Sequence, residues 1–113
     1  MGSEPMDQPL TGWSESEETI ARQAFERAYE RALDGLIEHL RDRLPQLNGA
    51  ESLWELHDFL SIQRHAIEGR FDFREPGLLF VFAGLLKDQL ISLEELQGLE
   101  AIKLAKISAM TRV

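Results

Sequence analysis

Apolar residues recur along this chain with a helical period, and four segments follow from them. In the first, Ile20, Ala24, Ala28, Leu33, Leu36, Ile37, Leu40 and Leu44 fall three or four apart, and Phe25 and Tyr29 widen the stripe. Ser14 or Ser16 can cap its start, where Glu15, Glu17 and Glu18 complement the helix dipole. Pro45 disfavours a helical Leu44 and ends or kinks the segment. The result is a helix of about 30 residues, roughly 45 Å long. A compact domain of this size is only about 30 Å across. Part of the stripe must therefore lie beyond the reach of its own chain, and dimerisation would cover it. Gly35 inside this helix costs about 1 kcal/mol relative to alanine, which predicts a close helix approach there.

Asn48-Gly49 signals a stop. A second helix is predicted from about Ala50 to Phe71, with Asn48-x-x-Glu51 and Ser52-x-x-Glu55 both readable as capping boxes. Pro76 suits the first turn of a third helix. Its run from Leu78 to Leu86 is almost wholly apolar, and with no second strand to pair with it reads as a helix. Phe80 and Phe82 stand about 200° apart on that helix, so they cannot share a face. Ser92-x-x-Glu95 forms a capping box, with Ile91 and Leu96 at staple positions, and opens a fourth helix that runs toward Met110. Residues 1–13 hold two prolines and two glycines without a period and are expected to be a disordered tail. The fold class is all-α. A single domain is expected over 14–113, with a body over about 14–72 and a head over about 74–113.

The second helix is divided. With Trp54 at zero on a helical wheel, Leu53, Leu56, Leu60, Ile67 and Phe71 fall between about 200° and 260°, with Phe59 at the edge of that arc. Trp54, His57, Asp58, Ser61, Arg64, His65 and Glu68 lie within about 80° of zero. A tryptophan thus stands in a polar stripe opposite the core face. Cover by the first helix or by a symmetry mate is one explanation, and a binding hot spot is another, since Trp and Arg dominate such sites.

The same stripe offers little for catalysis. His65 and Glu68 are neighbours, but no nucleophile accompanies them, and no glycine-rich segment supplies an oxyanion hole. Residues 57 and 58 are adjacent in sequence and are not expected to face each other. The metal-ligand spacings His-x-x-x-His and Glu-x-x-His are absent. Neither a catalytic residue nor a metal is expected.

Charge and composition narrow the partners. The 113 residues carry a formal charge of −8, which argues against nucleic acid and anionic lipid. Residues 1–19 hold five acids and no base, whereas the last eleven hold Lys103, Lys106 and Arg112 and no acid. The expected reading is a solvated tail at one end and helix-dipole complementarity at the other. There is no cysteine, so disulfide and thiolate chemistry are excluded, in keeping with a reducing compartment. No apolar run approaches the roughly 20 residues of a membrane span, and Met1 to Leu10 is too polar for a secretory signal.

The stretch Trp54-Glu-Leu-His-Asp-Phe-Leu-Ser-Ile-Gln-Arg-His-Ala-Ile-Glu-Gly-Arg-Phe-Asp72 resembles the signature of the cyanobacterial fluorescence recovery protein family. Ala-Tyr-Glu-Arg-Ala-Leu-Asp-Gly-Leu over 28–36, Phe80-Val-Phe-Ala83, Leu85-Leu-Lys87 and Glu94-Glu-Leu96 extend the likeness over residues 14–113. The resemblance implies an all-helical homodimer with a long two-helix body and a small head. It implies a non-enzymatic regulator of photoprotection that carries no carotenoid or other cofactor. Its expected partner is the orange carotenoid protein in its light-activated red form, bound mainly at the C-terminal domain. Return to the orange form is accelerated and detachment from the phycobilisome assisted, which ends non-photochemical quenching and restores fluorescence. By the same resemblance Trp54, His57, Asp58 and Arg64 match functional body residues, Leu53 a dimer-interface leucine, and Phe80 and Lys106 head residues linked to activity. The implied location is cytoplasmic, at the face of the thylakoid and reached indirectly through the phycobilisome. The rival reading is a helical adaptor for another protein.

Overall fold

The computed structural model describes residues 12–74 and 77–112. Four α-helices and two 3-10 turns follow in order: α1 (Glu15–Arg43), a turn at Leu44–Gln46, α2 (Ala50–Arg70), α3 (Leu78–Lys87), a turn at Leu93–Leu96, and α4 (Ala101–Thr111). Residues 1–11 of the expected tail and the expected helix-starting Pro76 lie outside the described residues.

The serine that caps α1 is Ser14. Its Oγ accepts from the Glu17 backbone N–H (3.1 Å), and the Glu17 carboxylate accepts in return from the Ser14 N–H (3.0 Å). Such a cap is worth about 1 kcal/mol. At the other end Pro45 does not force Leu44 out of the helical region, where it sits at φ −55°, ψ −44°. The chain tightens into a 3-10 turn instead, with the Leu47 N–H bonded to the Leu44 carbonyl (3.2 Å), and becomes extended only at Leu47.

Neither capping box expected for α2 forms. Gly49 is its N-cap and provides no side-chain bond. Ser52 turns back to the loop, accepting from the Asn48 N–H (2.9 Å) and lying 3.2 Å from the Asn48 Oδ1. The fourth helix also differs from expectation. Ser92 and Glu95 do meet, with the Ser92 N–H donating to Glu95 Oε1 (2.9 Å). They open only the short turn Leu93–Leu96, and α4 begins at Ala101. The break falls at Gly98, whose φ of +108° is unfavourable for residues with a Cβ, and a Cβ there would also run into Ile20 Cδ1.

The core is formed by the N-terminal half of α1 and the segment from Phe73 onward. Ala21, Ala24, Phe25 and Ala28 pack against Phe73, Leu78, Phe82, Leu85, Leu96 and Ile107, all of them buried. Small residues on α1 let the shorter helices approach closely. Phe82 is fully buried, whereas Phe80, on the other side of α3, is 72% exposed.

Beyond Ala28 the structure changes character. The C-terminal half of α1 and all of α2 form a hairpin in which Leu56 is the only buried residue among those described. His39 stacks on Phe59 with centroids 4.8 Å apart, and the Arg43 guanidinium lies over the same ring. Higher up, the two helices part around a groove of about 580 Å³ walled by Ala32, Gly35, Leu36, Ala66 and Ile67. Gly35 therefore serves no close approach within the chain, because nothing lies within 4 Å of where its Cβ would be. The described chain measures 53 × 39 × 20 Å with a radius of gyration of 17.1 Å, against about 13 Å for a compact domain of 100 residues.

Candidate functional site

Two carboxylates fasten the shorter helices to α1. The Glu17 carboxylate keeps its place in the cap and also reaches α4, accepting from the Glu100 backbone N–H (2.8 Å) and from Lys103 Nζ (2.8 Å). Lys103 Nζ also donates to the Gly12 carbonyl (2.7 Å) and to Glu100 (3.0 Å), and lies 4.6 Å from the centre of the Trp13 ring. Glu17 and Lys103 are both buried. Burial alone would push the Glu17 carboxyl up; the hydrogen bonds from Lys103 and from two backbone N–H groups outweigh it and bring the pKa down to about 2. Glu95 plays the converse part, reaching from the short turn back to α1. Arg31 grips it with two 2.8 Å bonds, and the same guanidinium donates to the Leu90 carbonyl (2.8 Å). The Arg31 hydrogen bonds, opposed by burial, hold Glu95 at about 2 as well. An Arg70–Asp88 ion pair joins the end of α2 to the end of α3.

Of these ties the Arg70–Asp88 pair is the one that reaches α2, whose outer stripe carries Trp54, His57, Asp58 and Arg64. Trp54 is 60% exposed. Its indole meets the His57 imidazole edge to face at 6.4 Å between centroids. His57 Nδ1 lies 3.3 Å from Asp58 Oδ1, so these neighbours do touch, contrary to expectation. A long side chain on a helix can swing along the surface to reach the adjoining residue where neither partner is packed, and both are about three-quarters exposed. Arg64 Nε donates to Glu68 Oε2 at 3.2 Å, also in the open. Ile62, 65% exposed, lies within the same segment. The structure thus assembles a stripe with an uncovered indole, an imidazole–carboxylate pair and a guanidinium.

Leu53 sits on the arc assigned to the core face, yet it is 45% exposed, as are Ile37 (44%) and Leu44 (55%) on α1. Both helices of the hairpin therefore leave apolar surface open to solvent. Phe80 and Lys106 lie on α3 and α4, both exposed, on elements separate from the α2 stripe. No group of three or more His, Cys, Asp or Glu among the described residues could hold a metal. No helix among them is long and apolar enough to cross a membrane.

Sequence reasoning missed the Glu17–Lys103 lock. Its signal was present: Lys103 stands between Leu99 and Ile107 in an otherwise buried stripe, and Ser14-x-x-Glu17 is a capping box. Trp13, placed by sequence at the end of the expected tail, packs against the core.

The fold and its exposed helix face define a class: an all-helical protein that presents a tryptophan-bearing surface. A family model described as photoprotection regulator fluorescence recovery protein matches residues 13–111. The fluorescence recovery protein of Synechocystis sp. (strain ATCC 27184 / PCC 6803 / Kazusa) is 45% identical over 101 residues, covering 89% of this chain and 93% of that protein. The solved structure of the Fremyella diplosiphon fluorescence recovery protein superposes with a TM-score of 0.85 at 43% identity, covering 90% of this chain and all of the other. That of Synechocystis sp. PCC 6803 gives 0.84 at 44% identity, covering 89% and 99%. This chain belongs to the fluorescence recovery protein family of photoprotection regulators.

Proposed function

We propose that this regulator binds the light-activated red form of the orange carotenoid protein, mainly at its C-terminal domain, and speeds its return to the orange form. Detachment of that protein from the phycobilisome then follows, and antenna fluorescence is restored. The observation that carries the reading is the exposed Trp54 within the stripe of His57, Asp58 and Arg64. An uncovered indole flanked by charged groups has the composition of an interaction hot spot. Trp54, His57, Asp58 and Arg64 form the contact face, with Phe80 and Lys106 contributing from the short helices. Leu53, Ile37 and Leu44 supply apolar surface for a second copy, so the working form is a homodimer. The chain acts in the cytoplasm at the thylakoid face, held there through the phycobilisome rather than by insertion. The chain divides into a body built of α1 and α2 and a head built of α3 and α4.

A binder accelerates a conformational reversion only by stabilising its transition state more than the red ground state. Two exposed faces on a dimer would hold the separated domains of the red form close enough to reclose. The compact orange form then hides the bound surface and is released. The test is the dark red-to-orange absorbance recovery with and without the chain, repeated with Trp54→Ala and Arg64→Ala proteins confirmed folded by circular dichroism. Slower recovery with either variant is expected. Unchanged rates with both remove this face from the mechanism, and no acceleration by the wild-type chain leaves the reading of a helical adaptor for another partner.

A further inference from the structure

On the opposite half of α1 from the hairpin end, Phe25, Tyr29 and Phe71 form a cluster. Phe71 meets Phe25 at 5.4 Å and Tyr29 at 5.2 Å between centroids, each edge to face. The rings border an open pocket of about 550 Å³, completed by Glu26 and Glu30. Tyr29 is 42% exposed although it stands beside the core. Glu26 and Glu30 are one helical turn apart, an arrangement of like charges that disfavours a helix unless a cation lies between them. Glu30 feels the charge of the adjacent Arg31, but that guanidinium is turned toward Glu95 and the Leu90 carbonyl. The arginines nearby are engaged elsewhere: Arg22 with Glu18, and Arg27 and Arg31 with Glu95.

We propose that this pocket receives an arginine side chain presented by a partner protein. Aromatic rings attract a cation to their faces, and a planar guanidinium stacks there while donating to two carboxylates at once. The chain shows the same chemistry next door, where the Arg22 guanidinium lies 4.6 Å from the centre of the Phe73 ring. This site is distinct from the Trp54 stripe and does not rest on the identity of the partner proposed for it.

The probe is a short blocked peptide, acetyl-Gly-Arg-Gly-amide, titrated into the full-length ¹⁵N-labelled chain. Its control is the same peptide with citrulline, which keeps the shape and loses the charge. The arginine peptide should shift the amide signals around residues 25–30 and 71, with added salt weakening the effect, and citrulline should bind about fivefold or more weakly. Glu26→Gln with Glu30→Gln, both on exposed positions, should reduce the response by a similar factor without loss of helicity. Tyr29→Phe should retain it. Equal response to both peptides, shifts confined to other acidic segments, or an unaltered response in the double variant would overturn the proposal. So would pocket signals that move with protein concentration alone, since the occupant would then be a second copy of this chain.

Discussion

Replacing Lys103 with methionine should be among the most destabilising single changes on this chain's charged groups. The side chain keeps its stem and loses an ammonium that serves Glu17, Glu100 and the Gly12 carbonyl at 2.7–3.0 Å. Glu17 would be left buried with its charge and only backbone partners. Removing one member of a buried pair typically costs 3–5 kcal/mol. Linkage gives a similar figure: a carboxyl lowered from 4.5 to about 2 stores about 3 kcal/mol, of which Lys103 supplies part. A loss of about 3 kcal/mol is a large share of the 5–15 kcal/mol that holds a typical domain. It corresponds to a fall in Tm of roughly 10–20 °C at this size. Urea unfolding followed by circular dichroism at fixed protein concentration reads the difference. The sign with pH is set by the depressed Glu17 pKa. Its contribution is complete above about pH 5 and disappears as pH falls toward 2, so the gap between wild type and Lys103→Met should narrow over that interval. Glu95 titrates in both proteins and cancels from the difference. A variant within about 0.5 kcal/mol of wild type at pH 7, or a gap constant down to pH 3, would refute the assignment of Lys103 and Glu17 as a lock.

Other outcomes follow from the same geometry. Leu53→Glu places a charge on the exposed apolar arc and should yield monomers by sedimentation velocity; a dimer persisting at low concentration would contradict the assembly proposed. Gly35→Ala meets open space within the chain and should stabilise by about 0.5–1 kcal/mol in chemical denaturation; destabilisation would place a second copy against that position. Gly98→Ala should cost about 1–3 kcal/mol, since it imposes a Cβ at φ +108° and against Ile20. Glu95→Gln should cost about 1–3 kcal/mol by loosening the Arg31 grip, and its effect should fade as pH falls through the acid range in which Glu95 titrates.

Much of the helical order was legible because it is local. Ser14, Pro45 and the 3.6-residue period bound α1 without reference to anything distant. The separation of Phe80 from Phe82 followed from the wheel alone. Leu53 shows where that reasoning stops: a wheel assigns it to an apolar arc, but only the spatial course of α1 tells whether the arc is covered. Gly35 illustrates the same limit, since its cost was visible and the absence of a neighbour was not. The break at Gly98 depends on Ile20, nearly eighty positions earlier in the chain. Glu17 looked like one of three acids favouring a helix start, and its partnership with Lys103 arises only when the ends of the chain meet. The polar stripe of α2 was read correctly as a stripe, while the His57–Asp58 contact depended on rotamers that sequence spacing does not specify.

The length of α1 has a mechanical consequence. Its first half is bound into the buried core and its second half forms one arm of the hairpin, with no break between Glu15 and Arg43. At 1.5 Å per residue this is a rod of about 43 Å. A tilt of only 10° imposed on one end would carry the other through about 7 Å. A load applied at the hairpin is therefore delivered to the short helices as displacement, with Glu17 and Glu95 as the points of attachment. The molecule is built as a lever whose two ends cannot be moved independently.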